Sequence, residues 1–402
     1  MTGRTSVGIV GAGIVGAALG RALAISRPDV EVTILEKEDS AARHQTGHNS
    51  GVVHAGLYYT PGSLKATLCQ RGRHRLRDFC LERGLPYDEV GKVVVATGPD
   101  AEERLHAVRE KAVANGVEGL ELLDPVAALR EREPHARGQK ALLSPRTAIT
   151  DYAQVTEAFL ADVRSSGGDV LFGHEVVRVE QAGHRVRVAG SWGERTFDRL
   201  VSCGGLQSDR VARAAGVAPQ VRIIPFRGRY YHLSDPTQVS LRGLVYPAPD
   251  PRYPFLGVHV TRHVDGNISL GPNAVLSLDR EGYQRFSVDP GDTRDTLAWP
   301  GFWRMASRHW RVGLREMALT ASKRMFLAAV EELFAGMSDL ADDIVPIESG
   351  IRAQAIDRRG VLHDDFHVEQ HGPLVLVLNA PSPAATSSMA IAEHLMERHL
   401  AA

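Results

Sequence analysis

The first apolar run of the chain, SVGIV, is broken only by glycine and gives way to GAGIVG and then to AALGRALAIS, where small and apolar residues recur at helical spacing. EVTILEKE follows as a second apolar run. The opening therefore predicts strand, turn, helix and strand, a βαβ unit. Helical spacing returns over residues 62 to 83, 101 to 115 and 124 to 132, with GKVVVAT as a strand after the first of these. DYAQVTEAFLADVRSSGG predicts a further helix stopping at Gly167 and Gly168. Beyond it the period shortens. DVLFG, EVVRVEQAGHRVRVAG and RLVSCGG predict short strands, the middle stretch a hairpin, and RIIPFRGRYYHL, GLVYPA, FLGVHVT and NISLGPN continue the β pattern over residues 221 to 275. Residues 301 to 336 predict one or two helices. PLVLVLNA and SPAATSSMAIAEHLMERHL then repeat the opening theme of buried strand, loop and helix.

Alternating β and α elements at both ends around a strand-rich insertion predict an α/β (α+β) fold. A discontinuous Rossmann-like nucleotide domain is expected from residues 1–88, 146–220 and 345–402, with a β-sheet-rich substrate domain inserted from 89–145 and 221–344. At 402 residues and 43% hydrophobic content, the chain can bury two cores. Its 47 Lys+Arg and 48 Asp+Glu nearly cancel, so no global field recruits nucleic acid or an anionic membrane. Cys69, Cys80 and Cys203 form no C-x-x-C pair and leave one over, which argues against a disulfide framework or a zinc site and for a reducing cytoplasm. Residues 7 to 25 resemble a signal peptide, but Arg21 and the turn glycines interrupt the run, and neither a targeting peptide nor a transmembrane helix is expected.

Gly11, Gly13 and Gly16 match G-x-G-x-x-G directly after a strand and at the start of a helix. The first permits a tight turn, the second lets backbone approach a pyrophosphate, and the third lets helix and strand pack closely, while free N–H groups at the helix start face the phosphates. Glu36, after the second strand, is placed to accept hydrogen bonds from ribose hydroxyls. The glycines do not separate NAD from FAD. HNSGVVHAG offers Asn49 and Ser50 as polar contacts, Gly51 for close approach, and His48 and His54 to face a flavin ring; the alternative is a turn with solvated histidines.

Over nearly its full length the chain resembles the L-2-hydroxyglutarate oxidase or dehydrogenase family, a branch of the FAD-dependent, D-amino-acid-oxidase-like oxidoreductases. HNSGVVHAGLYYTPGSLKATLC, GGLQSDRVA, PFRGRYYHL, LVYPAPDPRYPFLGVHVT, LGPNAVL, GIRAQAID and NAPSPAATSSMAI carry the resemblance. It implies FAD as cofactor and oxidation of L-2-hydroxyglutarate to 2-oxoglutarate. Cys203 is the last cysteine, so no thioether to the flavin can come from the C-terminal part; a histidyl link through His48 or His54 stays open. Val177, Gly204 and Gly350 join the expected cofactor contacts. So do Ala384, Ala385, Thr386 and Ser387, which open a helix whose N–H groups would face flavin N1 and O2. No metal is expected.

Arg352, in SGIRAQA, is the expected carboxylate fork, since related flavin oxidases place an arginine from such a motif near the flavin. His54 and His259 compete as the base, because imidazole best suits proton removal near neutral pH. Tyr231 is expected at the distal carboxylate, and Tyr58 and Tyr59 at the pocket mouth. An amine or amino-acid oxidase and a non-catalytic binding protein are alternatives on the same scaffold. Oxygen or a quinone would accept the electrons. In residues 302 to 326, Trp303, Trp310, Leu314 and Met317 share one helical face and Arg304, Arg308, Arg311 and Arg315 the adjacent one. This stripe either seats the enzyme peripherally on the inner face of the membrane or packs inward.

Overall fold

The structure, a computed structural model, describes residues 4–252, 255, 257–284 and 287–400. Tyr253, Pro254 and Leu256, within the string LVYPAPDPRYPFLGVHVT, lie outside the described residues. The opening βαβ unit forms from strand Thr5–Val10, helix Ile14–Ser26 and strand Val30–Leu35, the strands parallel in register from Thr5 opposite Val30 to Val10 opposite Leu35. Glycine lets the helix lie close to the strands. A Cβ at Gly20 would stand 2.6 Å from Ile34 Cδ1, and one at Gly16 would collide with the carbonyl oxygen of Gly11.

These strands belong to a six-stranded sheet in the order His367–His371, Leu374–Asn379, Arg199–Ser202, Thr5–Val10, Val30–Leu35, Asp169–Leu171. All its pairs are parallel except the first. Helix Ile14–Ser26 packs against Tyr152–Ser165 and Ala384–His399, and the last of these against Leu64–Arg83. The layer between buries Leu19, Ile34, Leu76, Phe159, Val375 and Leu395 completely. A buried side chain of this size contributes roughly 1.5–3 kcal/mol. Asp162 ties three helices together, accepting from Arg21 Nε at 2.7 Å and Arg83 Nη2 at 2.7 Å.

An eight-stranded sheet runs Ile344–Pro346, Tyr231–Leu233, Ile268–Gly271, His259–Arg262, Leu244–Pro247, Lys92–Ala96, Lys140–Ser144, Glu121–Leu123. Lys92–Ala96 pairs in parallel with Leu244–Pro247, so segments far apart in sequence share one sheet. In a separate three-stranded sheet, Val221–Gly228 pairs antiparallel with Gly350–Asp357, which places Arg352 opposite Phe226. The expected hairpin forms as Arg178–Ala182 and Arg185–Gly190, extended by a third strand, Gly193–Phe197. Helix Pro290–Leu297 and strands Lys140–Ser144 and Ile344–Pro346 were not legible in the pattern.

Residues 301 to 336 form Pro300–Ala321, kinked at His309, and Lys323–Glu331. The inward-packing expectation for the stripe is corrected: Trp303, Trp310, Leu314 and Met317 are 56–62% exposed, and Phe302, Met305 and Leu319 are the residues that pack inward. The buried set steps around a different arc of the helix, and apolarity alone does not say which of two apolar arcs meets the core. Among the described residues, no helix is long and apolar enough to cross a membrane.

Candidate active site

A cavity of about 590 Å³ opens at the C-terminal ends of the parallel strands. Gly11 and Gly13 form one wall. Gly11 has φ +101° and a Cβ there would lie 2.7 Å from Cys203 O, so the turn requires glycine. A Cβ at Gly13 would touch only Thr46 Oγ1, at 3.3 Å, so this glycine leaves open space on the cavity side. Gly16 is a packing glycine and does not line the cavity. The Glu36 carboxylate accepts from Ala12 N at 2.7 Å and Glu38 N at 3.0 Å, bracing the glycine turn while its residue lines the cavity. Thr46, which the sequence reading passed over, accepts from Ile14 N at 3.1 Å and so occupies one of the free donors of the helix start.

The loop after the second strand supplies the adjoining wall. Asn49 folds it, donating to Thr46 O at 2.6 Å and accepting from Gly51 N at 2.8 Å, and Asn49 and Ser50 line the cavity. Gly51, at φ +67°, stands where a Cβ would lie 2.8 Å from Thr150 O. His48 is turned away: its ring stacks on Tyr283 at 4.0 Å and its Nε2 meets Glu348 at 2.8 Å. Its carbonyl lies against Gly350, where a Cβ would approach it to 2.9 Å, and neither His48 nor Gly350, both expected at the cofactor, lines the cavity. Val177, 57% exposed, and Gly204 close the cavity at the nucleotide end. Nearby, Glu38, His44 and Glu281 bring ligand atoms together at a spacing that could hold a metal ion, while Lys37 Nζ pairs with both carboxylates at 2.5 and 2.6 Å.

The opposite end is built by the start of helix Ala384–His399. Ala384, Ala385 and Thr386 line the cavity, whereas Ser387 is buried between helices against Gly72. Thr386 Oγ1 accepts from His54 N at 3.1 Å and meets Tyr152 OH at 2.9 Å, which fixes His54 at this end. His54 Nε2 lies 3.5 Å from Ser382 Oγ.

Beyond His54 the second sheet contributes. His259 is buried, its Nδ1 3.0 Å from Thr261 Oγ1 and its ring stacked at 3.8 Å on Tyr246. Burial, then the charge of Lys92, holds both the His54 and the His259 imidazoles well below the usual 6.5, so both are neutral proton acceptors at neutral pH. Arg352 is partly buried, with its guanidinium over Phe255 at 4.5 Å and no carboxylate partner among the described residues. Tyr230 faces it, burial pushing its phenol up to about 12 while the arginine pulls the other way. Tyr58 lies 5.5 Å from Lys92 Nζ and Tyr59 5.3 Å from Lys65 Nζ, the first with its hydroxyl unpartnered among the described residues.

Tyr231 does not join this group. Its ring packs on Phe326 at 4.8 Å in the core of the second sheet, and its hydroxyl accepts from Arg229 at 3.0 Å. Alternation along the strand turns Tyr230 toward Arg352 and Tyr231 away, and a pair of adjacent tyrosines gives no sign of which is which. Lys92, Tyr230, Tyr246 and Tyr152, like Thr46, are residues that the sequence pattern did not single out.

A dinucleotide cavity on a parallel sheet, with neutral imidazoles and an arginine at one end, defines an oxidoreductase that holds a dinucleotide cofactor. Residues 6–398 match the FAD dependent oxidoreductase family, and the chain belongs to it; FAD is its cofactor. The chain is 42% identical to L-2-hydroxyglutarate dehydrogenase of Indibacter alkaliphilus, over 95% of this chain and 96% of that one. It is 42% identical to the mitochondrial L-2-hydroxyglutarate dehydrogenase of Caenorhabditis elegans, over 96% and 90%. Among solved structures it is similar to dithionite-reduced L-alpha-glycerophosphate oxidase from Mycoplasma pneumoniae with FAD bound, with TM-score 0.78 and 18% identity over 98% of this chain and 94% of that one, a likeness of fold.

Proposed function

We propose that the protein oxidises L-2-hydroxyglutarate to 2-oxoglutarate. The observation that carries this reading is the near-full-length similarity to L-2-hydroxyglutarate dehydrogenases. Residues 1–88, 146–220 and 345–402 hold the cofactor, and 89–145 with 221–344 face the substrate. Bound FAD supplies the acceptor for the hydride leaving Cα. Arg352 presents a planar fork to a substrate carboxylate and orients Cα, for which its having no carboxylate partner among the described residues suits it. The hydroxyl proton goes to one of the two neutral imidazoles, His259 or His54. The direct test is anaerobic addition of L-2-hydroxyglutarate to the yellow protein. Bleaching of the flavin by this acid, and not by glycine or sarcosine, is expected; the converse pattern would make it an amine oxidase, and no bleaching by any of them a binding protein.

The electrons pass on to oxygen or a quinone, in a cytoplasmic enzyme that meets the membrane at its inner face through Pro300–Ala321. A second cavity, of about 1220 Å³, lies under this helix, lined by Trp310, Leu314 and Met317 and by Phe255, the ring that carries Arg352. Phe255 is thus shared between the lining of this cavity and the contact of Arg352. The flanking Arg304, Arg308 and Arg311 are exposed and suit anionic headgroups. The enzyme is expected to sediment with anionic liposomes at low salt, and Arg304→Glu with Arg308→Glu to abolish this while leaving flavin reduction unchanged. Absence of sedimentation at low salt would leave an acceptor that diffuses to the enzyme.

A further inference from the structure

Lys92 opens the inner strand Lys92–Ala96 of the second sheet and is 1% exposed, yet its Nζ has no hydrogen-bond partner among the described residues. The ammonium lies 4.2 Å from the ring centroid of Tyr246 and 5.5 Å from that of Tyr58. Tyr246 in turn stacks on His259, and its hydroxyl is held by Thr261 and by Ser50 of the cofactor loop. Lys92 therefore stands on the same tyrosine ring as a candidate base. His259 feels the charges of Lys92 and Arg352 together, which places the two cations around one imidazole. A buried cation with no acceptor is costly to the fold. A ligand with two carboxylates would neutralise both.

Resting on the function proposed above, we propose that Lys92 binds the second carboxylate of the substrate, so that Arg352 and Lys92 together select 2-hydroxy dicarboxylates over monocarboxylates of the same length. Aromatic faces on two sides hold the ammonium without neutralising it, which keeps its donors for the ligand. Burial pushes Lys92 down to about 7, so an arriving carboxylate also draws a proton onto it. The other titratable groups around it do not change charge in that range. His54 and His259 are held low, Cys69 is pushed up to about 12, and the phenols of Tyr58 and Tyr246 are pushed up by burial, while Lys65 adds its charge at His54 and Arg352 at His259.

The test compares L-2-hydroxyglutarate with L-2-hydroxypentanoate as reductants of the flavin, and glutarate with pentanoate as non-reacting ligands read by flavin absorbance. Lys92→Met, which keeps the length of the side chain, is expected to weaken the diacids on the order of 10²-fold and leave the monoacids within about threefold, at unchanged flavin content. Equal losses for both classes would make Lys92 part of the common chemistry, and no loss would make it structural; either overturns the inference. Should Lys92→Met not accumulate as yellow protein, calorimetry on the wild type at pH 8 in buffers of different ionisation heat decides. Proton uptake on binding glutarate and none on binding pentanoate is expected, and equal uptake overturns the inference. Wild-type enzyme that is not reduced by L-2-hydroxyglutarate at all would instead refute the proposed function.

Discussion

Replacing His259 with asparagine is expected to slow anaerobic flavin reduction by L-2-hydroxyglutarate on the order of 10²-fold or more if His259 is the base, while flavin remains bound. Asparagine keeps a polar group near Thr261 but cannot take the hydroxyl proton. His54→Asn is the matched variant, and the slower of the two identifies the base; if neither slows reduction, both assignments fall. The pH profile gives an independent reading. Because burial and neighbouring cations hold each imidazole neutral well below 6.5, the acid limb of kcat/KM, which reports the free enzyme, should lie below pH 6.5. An acid limb at or above that value would point to an unperturbed group elsewhere.

Gly13→Val is expected to yield folded but colourless protein. At Gly13 an added Cβ meets only Thr46 Oγ1, so the protein itself tolerates a side chain, and the loss would come from the space that the cofactor pyrophosphate needs. Gly16→Val is a different experiment, because the new side chain collides with the Gly11 carbonyl and disturbs the turn itself. Absorbance near the flavin maximum, set against circular dichroism, separates the two. Gly13→Val protein with full flavin and native dichroism would remove this turn from the cofactor site.

What could be read from sequence was whatever local pattern encodes. The βαβ opening, its glycines and the apolar Leu374–Asn379 strand each carry their own signature, because backbone geometry and burial act within a few residues. The candidate site is assembled otherwise. His259 could be named because a strand histidine in an alternating run is conspicuous. Lys92 was overlooked because a lysine that opens a strand looks like a solvated end, and only the pairing of Lys92–Ala96 between Leu244–Pro247 and Lys140–Ser144 buries it. Tyr230 and Tyr231 exchange places for the same reason: strand phase is set by partners distant in sequence. His48 shows a third case, a side chain drawn out of the cavity by Tyr283 and Glu348, residues no local window contains.

The order in which the walls of the cofactor cavity are made along the chain bears on how the enzyme matures. Strand Leu374–Asn379 lies beside Arg199–Ser202 at the middle of the first sheet, and the start of helix Ala384–His399 forms the end wall where Thr386 fixes His54. Until residues 374–386 have left the ribosome, the glycine turn faces a sheet that lacks an inner strand and a cavity that lacks a side. The nascent chain must therefore wait, with apolar strand edges unpaired, through the synthesis of the whole second sheet. Flavin loading therefore waits for residues 374–386, and flavin that binds the completed cavity stabilises the finished form over its partly folded precursors.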